Sequence, residues 1–176
     1  QAPVAARVGT TLTNSFLFAG GSFTAIGAAP NQVAASRLAR FSPSTNTWSD
    51  FNSGSADSCT ALLVRSTGLN SYEVLSANRS SPSAFGGYLR RWSGGTWSPV
   101  GGTLPQELRA IAFVGGGYTV GTTGGQVIAV KKTDGSEVYA TPKSPTPVVG
   151  LVGVEARFLA VNDDATPMWW NVPSSS

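Results

Sequence analysis

Short apolar runs recur along this chain, each closed by glycine, proline, asparagine, aspartate or serine. Residues 14–51 show the plan. Phe16-Leu17-Phe18-Ala19 ends on Gly20-Gly21, a loop follows, and a second run covers 36–41. Pro43-Ser44-Thr45-Asn46 then turns the chain into an aromatic segment around Trp48. Runs of this length, bounded by turn formers, read as β-strands. No stretch carries the 3.6-residue apolar stripe of an amphipathic helix.

The plan repeats. Segments 4–22, 59–78, 108–125 and 148–163 each hold an apolar strand, a turn and a second strand ending in small or polar residues. Third strands are predicted at 36–41, 88–92, 126–131 and 167–171, and fourth strands at 47–51, 96–100 and 137–140. The turns joining them include Ser93-Gly94-Gly95 and Thr133-Asp134-Gly135, whose glycines accept the positive φ of tight hairpins. The units therefore lie near 4–51, 59–100, 108–140 and 148–172. Four-stranded antiparallel meanders at this spacing predict an all-β, β-propeller-like single domain of about four blades. A lone sheet that is apolar on both faces cannot bury them; stacked sheets can. The last unit is short, with only 171–176 after Trp169-Trp170, so its fourth strand is missing or supplied from elsewhere. Pro142, Pro145 and Pro147 make 141–147 an extended connection between the third and fourth units.

Composition narrows the chemistry. The 176 residues are 41% hydrophobic and only 12% charged, with a net charge of +3. That suits a turn-rich β protein. No Lys/Arg run exceeds a pair, which is a weak footprint for nucleic acid. There is no histidine and one cysteine, Cys59, so an intrachain disulfide and the usual zinc or copper sites are excluded. A Ser-His-Asp or Cys-His nucleophile is excluded for the same reason. No apolar run reaches the roughly 20 residues a membrane-spanning helix needs. The chain opens on Gln1-Ala2-Pro3 rather than methionine, which fits a start after a cleaved secretory signal and equally a boundary within a longer protein.

Two sets of residues resemble known repeats. Gly20-Gly21, then Phe41, six residues and Trp48, resembles the kelch pattern of a glycine pair, an aromatic and a tryptophan. Residues 17–41 and 89–98 are similar to repeats of secreted surface propellers. The resemblance covers the first two units. Gly20-Gly21 is answered by Gly124-Gly125 in the third unit, by Ala77-Asn78 in the second and by Asn162-Asp163 in the fourth. Such families are mostly non-enzymatic scaffolds, so the resemblance implies a binding or structural role.

The candidate contact residues are arginines and aromatics: Arg37, Arg40, Arg90, Arg91, Trp92, Trp97, Trp169 and Trp170. Arg37 and Ala39 are expected on one face of their strand, with Leu38 and Arg40 on the other. These side chains serve either as outer arginines stacked on tryptophan or as a basic, aromatic surface for sugar rings or anionic polymers. One ring of Trp169-Trp170 is expected to point inward and its neighbour outward. Asp163-Asp164 is the one adjacent acidic pair, read as a polar turn without the ligand alternation of a calcium loop. Asn78-Arg79-Ser80 matches an N-glycosylation acceptor. Cys59 reads as a small buried hydrophobe.

The expected function is a non-enzymatic, secreted or cell-surface module that recognises protein or glycan, without a cofactor or metal. The alternative is the head domain of a surface appendage that packs with sibling subunits through its last unit or binds DNA. Glycan cleavage would need two carboxylates across one pocket, and the acids are scattered.

Overall fold

The computed structural model describes residues 4–8, 16–51, 58–68, 71–79, 87–104, 106–154, 157–165 and 167–171. Every regular element among them is a strand. In the first sheet β1 (Val4–Val8) pairs with β2 (Phe16–Gly20), which pairs with β5 (Leu38–Ser42) and through it with β6 (Thr47–Asp50). Two short strands, β3 (Ala25–Ile26) and β4 (Val33–Ala34), form a hairpin of their own inside the loop between β2 and β5. The sequence pattern did not predict this hairpin.

The second sheet holds β7 (Cys59–Gly68), β8 (Ser71–Arg79), β9 (Gly87–Ser93) and β10 (Thr96–Leu104), with order β10-β9-β8-β7. The third is β11 (Leu108–Val114), β12 (Gly117–Thr122), β13 (Val127–Val130) and β14 (Glu137–Ala140), in chain order. The last is β15 (Val148–Val154), β16 (Arg157–Asn162) and β17 (Pro167–Asn171). Among the described residues it has three strands, where the sequence pattern also predicted three. Tight turns sit where glycine permits them: Gly94 and Gly95 have φ of 61° and 94° between β9 and β10.

The chain forms two compact units, Gln1–Asn78 with Arg90–Ser98, and Arg79–Leu89 with Pro99–Ser176. The core of the first is Phe18, Leu38, Phe51, Cys59 and Val74, ringed by Phe16, Leu62, Val64, Tyr72, Trp92 and Trp97. Its aromatics interlock: Tyr72 stacks on Trp92 at 5.0 Å, and Phe51 meets both Trp92 at 5.2 Å and Trp97 at 5.5 Å. Each such pair adds about 0.5–1.5 kcal/mol beyond the area it buries. The core of the second is Ala112, Val114, Val127, Val148, Phe158 and Ala160, with Leu151 and Trp170 packed against it.

Local geometry confirms the repeat. Cys59, Leu108 and Val148 each begin a sheet, and each is followed by a β-bulge. Opposite them stand Asn78, Thr122 and Asn162, polar residues that are all buried. Burial obliges such groups to hydrogen-bond. Asn78 Oδ1 accepts from Ser76 Oγ (2.5 Å), Thr122 Oγ1 donates to Gln106 Oε1 (2.6 Å), and Asn162 Nδ2 donates to Ser144 Oγ (2.7 Å).

Small residues make a second repeated feature. A Cβ on Gly20 would lie 2.5 Å from Cys59 Sγ, and one on Gly121 would lie 2.5 Å from Val148 Cγ1. In both cases the second strand of one sheet meets the first residue of the next. The sequence alignment matched Gly20-Gly21 with Gly124-Gly125; by contact, Gly20 corresponds to Gly121. Gly124 and Gly125 belong to the turn after β12.

Candidate functional site

An open groove of about 740 Å³ lies on the first sheet, between the β5–β6 hairpin and the loop carrying β3 and β4. Its floor is set by hairpin register. Phe41 on β5 stands opposite Trp48 on β6, and the rings lie 5.2 Å apart, tilted by 49°. The six residues separating this pair in the sequence are those that close the hairpin.

The rim comes from two turns. Asn46 adopts a left-handed conformation (φ 52°), which asparagine tolerates better than most residues. On either side of it Thr45 Oγ1 and Thr47 Oγ1 hydrogen-bond at 2.7 Å. Across the groove the amide of Asn31 donates to Ala28 O (2.9 Å), closing a turn that presents Asn31 and Gln32 to solvent. Gly27, at φ 91°, anchors that loop; a Cβ there would meet Asn31 O at 3.1 Å and Trp48 Cδ1 at 3.7 Å. Among the described residues no ionisable side chain lines the groove. Its chemistry is two aromatic rings and a set of amides and hydroxyls.

The sequence-predicted contact residues lie elsewhere, and several are structural. Arg37 is not in a strand: it has φ 73°, and β5 begins one residue later. The expected pairing of Arg37 with Ala39 on one strand face is therefore corrected. Its guanidinium instead donates to the carbonyls of Ser22 and Phe23, pinning the β3–β4 loop. Arg40 lies over the Phe16 ring at 4.9 Å and the Phe51 ring at 5.9 Å, so its stacking partners are phenylalanines rather than the expected tryptophan. Arg90 does sit over a tryptophan of the next strand, Trp97, at 5.8 Å. Arg91 is half-buried on the neighbouring position of β9. Trp92 and Trp97 pack against the first core rather than forming a free surface.

Trp169 and Trp170 alternate as strand geometry requires. Trp170 packs on the second core, while Trp169 is 63% exposed. Trp169 stands opposite Leu159, which stands opposite Val152, so these three share one face of the last sheet. Val152 is also exposed, and Leu159 is half-buried.

The remaining candidates are also placed. Cys59 is fully buried; burial pushes its thiol up to about 11, against the opposing effect of hydrogen bonds with Ser76 and Ala61. At neutral pH it is a protonated core side chain, as the sequence suggested. Asp163 and Asp164 are exposed in the turn after β16, where the Asp163 amide donates to Pro147 O (2.9 Å). Asn78 of the glycosylation motif is completely buried, which corrects its reading as an acceptor. Among the described residues no group of three or more His, Cys, Asp or Glu side chains could hold a metal ion. No helix among them is long and apolar enough to cross a membrane.

Sequence reasoning missed the groove. Its one signal was the uncharged insertion at 27–33, longer than the corresponding connections in the other units.

No protein-family profile matches the chain, and no curated protein sequence does. Solved structures do. The chain is similar to the computationally designed Ika4 protein (TM-score 0.65, 14% identity, 89% of this chain and 85% of that one). It is also similar to the designed Ika8 protein (TM-score 0.67, 14% identity, 99% and 47%). It is similar as well to Saccharomyces cerevisiae Sqt1 (TM-score 0.71, 8% identity, 98% and 46%). The chain thus spans about half the length of Ika8 and of Sqt1. At these identities the likeness concerns fold alone, and the fold is that of a β-propeller. Among the described residues the chain forms four consecutive propeller-type sheets, the last of three strands.

Proposed function

We propose that this chain is a non-enzymatic propeller-type binding module, secreted or displayed at a cell surface, whose ligand is a protein or a glycan. The observation that carries this reading is the groove floored by Phe41 and Trp48. Sites of about 300–1,000 Å³ with an aromatic base and a few polar groups are the usual form of a binding site. The kelch-like pattern of the first two units belongs to the same reading, because it is the pattern that places Phe41 against Trp48. Fold alone assigns no ligand.

The test is retention on a displayed peptide library and on a glycan array, with wild type and Trp48→Ala compared at equal folded concentration. Wild type is expected to hold ligands that the variant releases. Retention that ignores Trp48, or none at all, would remove the groove as the binding site.

A second reading, self-association, is favoured by the last sheet. Val152, Leu159 and Trp169 put an apolar face in solvent. Contiguous apolar surface of this kind marks an interaction site. Light scattering is expected to find dimers or larger species for wild type and monomers for Trp169→Lys. A wild-type monomer at high concentration counts against this reading.

A further inference from the structure

We infer that the groove binds an uncharged oligosaccharide, laid along the Phe41–Trp48 floor and hydrogen-bonded by the amides of the rim. The inference rests on the groove being the binding site and names the class of ligand it takes.

Complementarity of charge comes first. The chain carries 12 Lys and Arg and 9 Asp and Glu, yet none of those among the described residues lines the groove. A polyanion such as heparin would find no cation there, and a peptide with charged side chains would find no counter-charge. Burying an unpaired charge is costly, so an ionic ligand is disfavoured and a neutral one is not penalised.

The polar groups also discriminate. Asn31, Gln32 and Asn46 each offer a carboxamide, which both donates and accepts. Sugar hydroxyls do the same, so one carboxamide can serve adjacent hydroxyls in either direction. All three residues are exposed, and no hydrogen bond to a described residue occupies their side chains. Thr47 adds a hydroxyl already oriented by its bond to Thr45.

The floor supplies the apolar half. A pyranose ring has a face of C–H bonds that packs on an aromatic ring, whose face is electron-rich. Trp48 is held for this role by the Phe41 ring, 5.2 Å away, and a side chain at Gly27 would already reach it. A platform held in this way loses little entropy on binding. The groove is open rather than closed, which suits a chain of several sugar units more than a buried monosaccharide.

The test is calorimetric titration of the whole chain with laminarihexaose, cellohexaose, mannohexaose and chitohexaose, with heparin hexasaccharide as the charged probe. At least one neutral hexasaccharide is expected to bind, with affinity unchanged between low and high salt. Trp48→Ala is expected to weaken it about tenfold, the loss of one good stacking contact. Asn46→Gly, which keeps the left-handed turn but removes a carboxamide, is expected to weaken it severalfold without altering the melting curve, so the inference survives a Trp48→Ala chain that folds poorly. Heparin binding that falls with salt, or neutral binding that both variants retain in full, overturns the inference. If no neutral sugar binds while displayed peptides are retained through Trp48, the glycan assignment fails and the binding module stands.

Discussion

A Gly20→Val chain is expected to melt well below wild type, by about 3 kcal/mol or roughly 6–12 °C in Tm. The reason is space rather than backbone conformation. Gly20 ends β2, and its missing side chain is where the second sheet begins. A Cβ there would stand 2.5 Å from Cys59 Sγ, 3.0 Å from Leu62 Cδ1 and 3.1 Å from Cys59 Cβ. Neither strand can step back freely. The Cys59 amide donates to Gly21 O (3.1 Å), and Gly20 is paired with Val4 on one side and Leu38 on the other. Close-packed interiors pass such strain on instead of absorbing it. Thermal denaturation of a double-mutant cycle isolates the cause. Gly20→Ala should be costly in wild type and markedly less so in a Cys59→Ala background, where the opposing sulfur is gone and the 3.0–3.1 Å contacts with Leu62 Cδ1 and the residue-59 Cβ remain. Equal costs in both backgrounds would mean that the clash is not what glycine avoids.

The second large effect is expected at Glu73. It lies on β8 directly opposite Arg65 of β7, and the two form an ion pair. The carboxylate side is only 2% exposed and the guanidinium side 24%. Removing one member of a buried pair costs about 3–5 kcal/mol, and partial solvation of Arg65 brings the expected loss for Glu73→Ala to about 2–3 kcal/mol. Urea denaturation should show that loss at both low and high salt, because ions cannot reach Glu73. An apolar pair, Arg65→Met with Glu73→Leu, should regain most of the stability, since neither residue then needs desolvation to be repaid. A loss that disappears in salt would place the pair at the surface and contradict its burial.

Much of this fold was legible in the chain. The start of each sheet, the glycine turns, the three strands described in the last sheet and the opposed faces of Trp169 and Trp170 all follow from period-two patterning and turn chemistry. These are local properties, and local sequence records them. What stayed hidden depended on which face of a strand a neighbour covers. Trp92 and Trp97 looked like surface candidates because they follow Arg90 and Arg91 closely in the chain; the structure turns both rings onto Phe51. Arg37 looked like a strand residue because Leu38–Phe41 continue it, but β5 starts at Leu38, and Arg37 has φ 73° and bonds the carbonyl of Ser22. Asn78 matched a modification motif whose geometry requires exposure, and the sheet buries it. The groove was invisible because neither wall carries a signal of its own: one is a loop without apolar pattern, the other a hairpin whose aromatics could equally have been core.

The burial of Cys59 has a kinetic consequence. It is the chain's one thiol, and it sits at the joint where the first sheet meets the second. A thiol reagent can reach it only when that joint opens. Its labelling rate therefore acts as a clock on local opening, counting the excursions of one seam without any engineered probe.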